Sequence, residues 1–535
     1  MASRYCFRKV RVASQRTARR AFLPVFPHAR AVHLPLWLVL LLAAAIAAGG
    51  GYELGHMSTQ RGVLPLMALL VGAAGVVIML SDVRAALWST IGVIALLPFA
   101  VVPYHLGLTL TLLEVASIAT IGTWFVTLML HRDQRLAAGA PALLIGLFLA
   151  ETAFAFLLGV TNGYSMTTFH DYGKFLLAVL LVFVVWNVAS DFTEARRLMN
   201  VLLVAGGAAA FLGLALYAGG ASLTFKVLTR LIPYGYPTSD IVRYIEDNPS
   251  KPLRLTSTSV DPNSFGGLLA VMTVLACAMA IARHRSISRW VSVPALGLCG
   301  LATLLTFSRG AWVGIAVGFA VLALMRFRWL IIPGAVAALG MAAFGLGAEF
   351  VHRFWLGITL QDPATKLRLR EYQNALSIIR DHPFFGVGFG NAPSINQQTG
   401  VSSIYLSIGE RVGLVGLAIF LIVMVVIGLT GLRAWRRRIE TPEGEMLLGL
   451  LAALSSALTV GVFDHYFFNI TFPHMAALFW IICGMILALA APGRMRRSHA
   501  STDGVIRARQ DRDLPGRERG DARHPGGRPS ESGHL

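Results

Sequence analysis

Apolar stretches of about twenty residues recur along nearly the whole chain, separated by short polar connections. They fall at roughly 34–51, 63–80, 85–103, 108–130, 140–160, 173–190, 197–217, 264–283, 289–307, 310–326, 328–346, 404–431, 445–462 and 472–491. A helix rising 1.5 Å per residue crosses the ~30 Å hydrocarbon core of a bilayer in about 20 residues. The pattern therefore predicts an all-α, polytopic membrane protein with about 14 (12–14) transmembrane helices.

Two connections are long, at about 218–263 and 347–403. In the second, Lys366 to Asp381 reads as a helix, with Leu369, Tyr372, Leu376 and Ile379 on one face. His382-Pro383 stops it, and Gly386, Gly388 and Gly390 follow as a turn. The expectation is an amphipathic helix lying at the membrane surface.

Composition agrees with the spans. The chain has 535 residues, 56% hydrophobic and 14% charged, against about 25% charged in soluble domains. The net charge of +19 raises the question of nucleic acid, but its placement argues against that partner. Residues 1–33 carry eight Arg/Lys and no acid, and the stretch from Arg494 to Leu535 carries ten Arg against six Asp/Glu. With the N-terminus in the cytoplasm, the short inner loops hold fourteen arginines: Arg84, Arg132, Arg135, Arg196, Arg197, Arg283, Arg285, Arg289, Arg326, Arg328, Arg433, Arg436, Arg437 and Arg438. The short outer connections hold three cations, Arg61, Lys174 and Arg309. This is the positive-inside pattern. It gives an organisation of a basic cytoplasmic tail at 1–33, a transmembrane domain at 34–491 and a disordered basic cytoplasmic tail at 492–535, with both long loops outside. The four cysteines are widely spaced and imply no disulfide framework or metal site.

Candidate chemistry collects on the outer side. Arg309, within Thr306-Phe307-Ser308-Arg309-Gly310, interrupts a long apolar region. Loop 347–403 supplies Lys366, Arg368, Arg370 and Arg380, and loop 218–263 supplies Arg243, Lys251, Arg254 and Asp261-Pro262-Asn263. Glu410 and Arg411 begin the next span, and Asp464 and His465 sit at the end of another. Guanidinium forks match the oxygens of a diphosphate, and a carboxylate or imidazole within reach suits removal of a proton from a sugar hydroxyl. On a regular helix Arg368 lies near the apolar stripe and Arg370 well away from it, so the two cannot face one phosphate. Asp261 also suits a helix cap before Pro262. No metal cluster or cofactor motif stands out, and metal-independent chemistry without a cofactor is expected.

Three segments resemble the O-antigen ligase/polymerase superfamily, the Wzy/WaaL type of bacterial membrane glycosyltransferase. They are LLTFSRGAWVG with Ser308, Arg309 and Gly310; RLREYQNALSIIRDHPFFGVGFGN, an arginine-and-aromatic helix closed by a His-Pro-Gly turn; and YLSIGERVGLVG. The resemblance covers roughly residues 255–490. It implies a glycan carried on undecaprenyl diphosphate at the outer face of the bacterial plasma membrane. That glycan would pass to another glycan, a lipid or a protein acceptor, alongside other polysaccharide-assembly proteins. It implies Arg309, Arg368 and Arg370 as ligands of the diphosphate, and Glu410, Asp464 and His465 as candidates for activating the acceptor, with Ser308 and Asp261 nearby. Many ligases of this type carry His-Asn just before the Tyr-Leu pair; here those positions are Ser402 and Ser403. The departure favours a polymerase-like role over a ligase. A transporter of small anions using intramembrane Glu114 and Glu151 is the alternative from another class, although no internal repeat supports it.

Overall fold

The computed structural model describes residues 22–24, 75–102, 109–130, 135–137, 139–332, 334, 363–390 and 401–491. The expected span at 34–51, most of those at 63–80 and 328–346, and the tails apart from Phe22–Pro24 lie outside the described residues.

The chain is helical: α1 is Val83–Leu96, α2 Leu112–Leu130, α3 Ala140–Leu158, α4 Met166–Val188, α5 Phe192–Ala218, α6 Gly220–Thr229, α7 Pro262–Ile281, α8 Arg289–Leu305, α9 Arg309–Met325, α10 Pro363–Asp381, α11 Ile404–Arg436, α12 Pro442–Phe463 and α13 Pro473–Ala490. A three-residue antiparallel pairing of Phe22–Pro24 with Arg135–Ala137 is the exception among described elements. Eight of these helices, α2, α3, α4, α5, α7, α11, α12 and α13, are long and apolar enough to cross a membrane; α1, α8 and α9 are shorter apolar helices.

Local chemistry sets the boundaries. Asp82, Ser165, Asp261, Ser288 and Thr441 each cap a helix by accepting from a backbone N–H of its first turn. Prolines open α3, α7, α12 and α13, where the missing N–H costs nothing. The centre of the bundle is α13 with α7, buried almost along their length around Trp480, Phe265 and Phe479. Large apolar side chains on the rim, including Leu143, Leu157, Phe211 and Leu324, face outward. In water that surface would drive aggregation; in lipid it is the expected exterior.

Two backbone features position the candidate site. The first is the i, i+4 row Gly310, Gly314, Gly318 on α9. A Cβ on Gly314 would stand 3.1 Å from Ser456 O, and one on Gly318 would stand 3.3 Å from Ala452 O. The absence of side chains lets α9 lie directly on α12, the close approach that small residues give in membranes. The second is a break in α11 at Gly413, whose φ of 78° is left-handed. Groups freed there bond the turn after α10: Leu414 N donates to Pro383 O at 2.7 Å, Val387 N to Glu410 O at 2.9 Å and Gly388 N to Arg411 O at 2.9 Å. The Phe389 N–H donates to the Tyr164 hydroxyl at 2.8 Å. The turn that closes α10 is thus stitched to the bundle.

Candidate functional site

The helix within the second long loop runs from Pro363 to Asp381, close to expectation, but it presents a different face to the protein. Leu369 and Leu376 are 42% and 55% exposed. The buried or half-buried row is Arg368, Glu371, Tyr372, Ala375, Ile378 and Ile379. Hydropathy misplaced the stripe because three polar side chains on this face find partners in the bundle, whereas two leucines on the neighbouring flank stay outside.

Those partners define the site. Arg368 Nη2 lies 3.0 Å from Asp464 Oδ1, with the Asp464 side chain 4% exposed. Asp464 follows the last residue of α12 and so leaves the helix at the bundle end where α10 lies. Among the described residues its Oδ2 has no hydrogen-bond partner. Burial pushes this carboxyl up to about 6, against the opposing pull of Arg368. The Arg368 guanidinium is in turn held further toward its charged form by Asp464. Gly310 belongs to the same surface, since a Cβ there would come 3.0 Å from Asp464 Oδ2. The neighbouring Arg309 Nη2 reaches Thr365 Oγ1 at 3.3 Å, one turn before Arg368 on α10.

The loop from α6 to α7 brings a third guanidinium. Its segment 243–254 folds back on itself through Arg254 N to Arg243 O at 2.8 Å. Arg254 Nε then donates to Thr306 O at 2.9 Å and Nη2 to Asn263 Oδ1 at 2.6 Å. Arg254 is near enough to Asp464 to lower its pKa. Asp261 caps α7 by accepting from Asn263 N at 2.9 Å and Ser264 N at 2.7 Å, and it also faces the Tyr466 hydroxyl, Asp464 and His465. The capping role expected of Asp261 and its place in the cluster therefore coexist. His465 is held at about 4 by burial, and so stays neutral.

Three of the six non-glycine residues with positive φ among the described residues lie in the same place. Ser257, Val260 and Phe307 have φ of 52°, 60° and 53°. Such conformations cost about 1–3 kcal/mol each in non-glycine residues and persist where the surroundings over-determine them; for β-branched Val260 the outlier is pronounced. Val260 precedes Asp261, and Phe307 precedes Ser308-Arg309. Ser308 is itself buried, at the N-cap position of α9.

A second group adjoins the first. The Tyr372 hydroxyl shares its proton between Ser402 O at 3.0 Å and Val462 O at 3.2 Å. It ties the start of α11 to the end of α12 that carries Asp464. Glu371 Oε2 accepts from Ser402 N at 3.1 Å and from Ser402 Oγ at 2.6 Å. Glu410 is buried on α11 three residues before the Gly413 break, and its carboxylate feels Glu371 and Arg411.

Of the residues proposed from sequence, Arg309, Arg368, Asp261, Asp464, His465 and Ser308 come together, and Glu410 lies on the neighbouring side near Glu371. Arg370 is exposed and turned away, as are Lys366 and Arg380. Arg243 pairs with Asp240 and Asp247, and Lys251 with Glu246, inside their own loop. The two intramembrane carboxylates are elsewhere: Glu114 accepts from Thr111 and pairs with His170, and Glu151 lies against Gly416 of α11. Sequence reasoning passed over Glu371, although the spacing of 368, 371 and 372 marks one helical face.

No curated protein matches the chain. Residues 294–421, which run from α8 through Arg309, α10 and Ser402 into α11, match the family profile described as O-antigen ligase; Asp464 lies beyond the match. This similarity supports membership of the chain in the O-antigen ligase/polymerase superfamily, and with it a glycosyltransferase-like role in polysaccharide assembly for a multi-pass membrane protein.

Proposed function

We propose that the protein transfers glycan from undecaprenyl diphosphate onto a growing glycan at the outer face of the plasma membrane, without a metal ion. The observation that carries this reading is the convergence of Arg254 and Arg368 on the buried Asp464 at one end of the bundle, with Arg309 held to Thr365 one turn before Arg368. Breaking the anomeric C–O bond leaves its electron pair on a diphosphate. Preorganised cations at that leaving group are favoured more in the transition state than in the ground state. A guanidinium carries five N–H donors, and the contact to Asp464 engages one terminal nitrogen of Arg368. Asp464 then fixes the direction of the fork without satisfying all of it. The acceptor side is the start of α11, where Ser402 and Ser403 replace the His-Asn of many ligases; this replacement favours polymerisation.

Deleting the gene and sizing the surface glycan tests the reading. Loss of long chains with single repeats still attached is expected; loss of every attached repeat makes the protein a ligase, and unchanged glycan overturns the assignment. Orientation is checked with cysteines at Gln373 and Glu440, both at exposed positions. The first should label with an impermeant reagent in intact cells with a permeabilised outer membrane, the second only after lysis.

A further inference from the structure

We propose that Glu371 and Ser402 form a proton relay that activates the acceptor hydroxyl, taking the part that the resemblance suggested for Glu410, Asp464 or His465. The inference rests on the glycosyl-transfer reading above and names the group that receives the proton in it.

Two observations carry it. First, Glu371 is buried, and one oxygen of its carboxylate collects both donors of Ser402, the hydroxyl at 2.6 Å and the backbone N–H at 3.1 Å. Ser402 itself is half-buried between buried Val401 and Ser403. Its hydroxyl proton points at Glu371, which leaves oxygen lone pairs for an incoming O–H donor. The Ser403 hydroxyl instead donates to Gly461 O at 3.4 Å, so the two serines are not equivalent. Second, Tyr372 fixes Ser402 and the Val462–Asp464 segment to the same face of α10. That face carries Arg368 one turn before Glu371 and Tyr372. A nucleophile resting on Ser402 thereby stands beside the donor arginines.

The other carboxylates at this end are less suited. Asp464 is 3% exposed and paired with Arg368. Asp261 holds two backbone N–H groups of α7. Glu410 lies beside Arg411 at the break in α11.

The step balances as follows. The acceptor oxygen attacks the anomeric carbon, forming the new glycosidic bond, while the carbon–oxygen bond to diphosphate breaks and its electron pair leaves with the phosphate. The acceptor proton passes to Ser402 Oγ, and the original Ser402 proton passes to Glu371. Water or the departing diphosphate returns Glu371 to its carboxylate. Ser402 touches the acceptor; Glu371 acts through it. Glutamate fits this position because its carbonyl-like oxygen also serves the structure, holding the backbone N–H that starts α11. A glutamine preserves that second task and abolishes the first.

The test uses purified full-length protein in nanodiscs with polyprenyl-diphosphate glycan extracted from the host, assayed for turnover across pH. Glu371→Gln is expected to lower kcat about 100- to 10,000-fold, the usual contribution of acid–base catalysis, with donor KM and thermal stability unchanged and the acidic limb of the pH profile lost. Ser402→Ala is expected to lose turnover similarly. Adding Ser402→His to Glu371→Gln places an imidazole at the acceptor and is expected to restore part of the turnover with a new acidic limb near the ordinary histidine pKa, about 6.5. The proposal is overturned if Glu371→Gln keeps its turnover and acidic limb. It is also overturned if turnover falls together with stability while the limb persists, which would make Glu371 a cap for α11. Arg368→Lys separates the two levels of argument. If it abolishes transfer while Glu371→Gln does not, the relay fails and the site stands; if neither variant alters the glycan, the site reading fails as well.

Discussion

The two ends of the bundle each hold an arginine paired with a carboxylate, and they use it in opposite ways. At one end Arg368 meets a single buried oxygen of Asp464, and three non-glycine residues nearby have positive φ. At the other end Arg326 forks onto Glu440 at 3.1 and 3.2 Å and reaches Glu445 at 3.0 Å. His284 adds a contact to Glu440 at 3.0 Å, and Glu440 is 70% exposed. The Arg326 cluster straps the α7–α8, α9 and α11–α12 connections together. Its carboxylate is eased by the pairing: Glu440 is held at about 2 by hydrogen bonds from Arg326 and His284. The Asp464 carboxyl is instead forced up to about 6 by burial. The exposed Glu440 carboxylate is eased by its partners, and the buried Asp464 carboxyl is held at a cost. The second is what a site that must respond to substrate charge looks like.

The sharpest way to break this comparison is to change each arginine to lysine, which keeps the charge and loses the planar fork. Arg368→Lys should reduce glycan transfer about 100- to 1,000-fold, the scale of losing one preorganised donor at a developing anion, with normal membrane insertion. Arg326→Lys should lower thermal stability and leave turnover per folded molecule unchanged. Equal losses of turnover at both ends would remove the distinction. Arg309→Lys should follow Arg368→Lys, whereas Arg370→Lys, on the exposed side of the same helix, should be silent in the same assay.

A subtler break uses Gly310. Its added Cβ in Gly310→Ala would press on Asp464 Oδ2 at 3.0 Å, so the carboxylate must give by a few tenths of an ångström. Turnover should fall several-fold, less than for Arg368→Lys, with helix content by circular dichroism preserved. Full activity in this variant would mean that the position of Asp464 is not critical.

The smallest effect is also the most diagnostic, because its sign differs between the ends. Asp464 has a folded-state value of about 6 against an ordinary 3.8. The folded protein binds a proton there that the unfolded chain has released, so this group's contribution to stability is present at low pH and is lost as pH rises through about 6. Glu440 is held at about 2 against an ordinary 4.5; its contribution is present above pH 4.5 and is lost as pH falls toward 2. Thermal melts against pH should therefore lose one slope in Asp464→Asn and the opposite slope in Glu440→Gln. Matching slopes would contradict the contrast in burial. Glu440 is exposed, so salt should weaken its slope more than that of Asp464.

Hydropathy alone predicted the α3, α7, α8, α9, α12 and α13 helices closely, and the amphipathic helix at Pro363–Asp381 to within a few residues. Those features follow from local rules: apolar length, capping side chains, and prolines that open a helix. The placement of Arg309, Asp464 and Asp261 at the ends of apolar stretches was also legible, as charges interrupting apolar sequence. The face of α10 was not. Leu369 and Leu376 promised the buried stripe, yet Arg368, Glu371 and Tyr372 took that place because Asp464, Ser402 and Val462 supply partners from 30 or more residues away. A periodicity count weighs only the side chain's own hydrophobicity and cannot include a distant counter-charge.

What the sequence by itself determined is therefore the class of molecule: its helical spans, the interruptions by charge, and the short motifs that resemble one family of glycosyltransferases. Composition and period act along the chain, where the sequence contains all the relevant information. The tertiary structure decided which charges meet. It drew Arg254, Arg309, Arg368 and Asp464 from four separate segments to one end of the bundle, turned Arg370 away, and set Glu371 against Ser402. Those pairings depend on the glycine row that seats α9 on α12 and on the break in α11 that anchors the turn after α10. Burial and Coulomb energy vary with distances in space, and only the packed helices fix those distances.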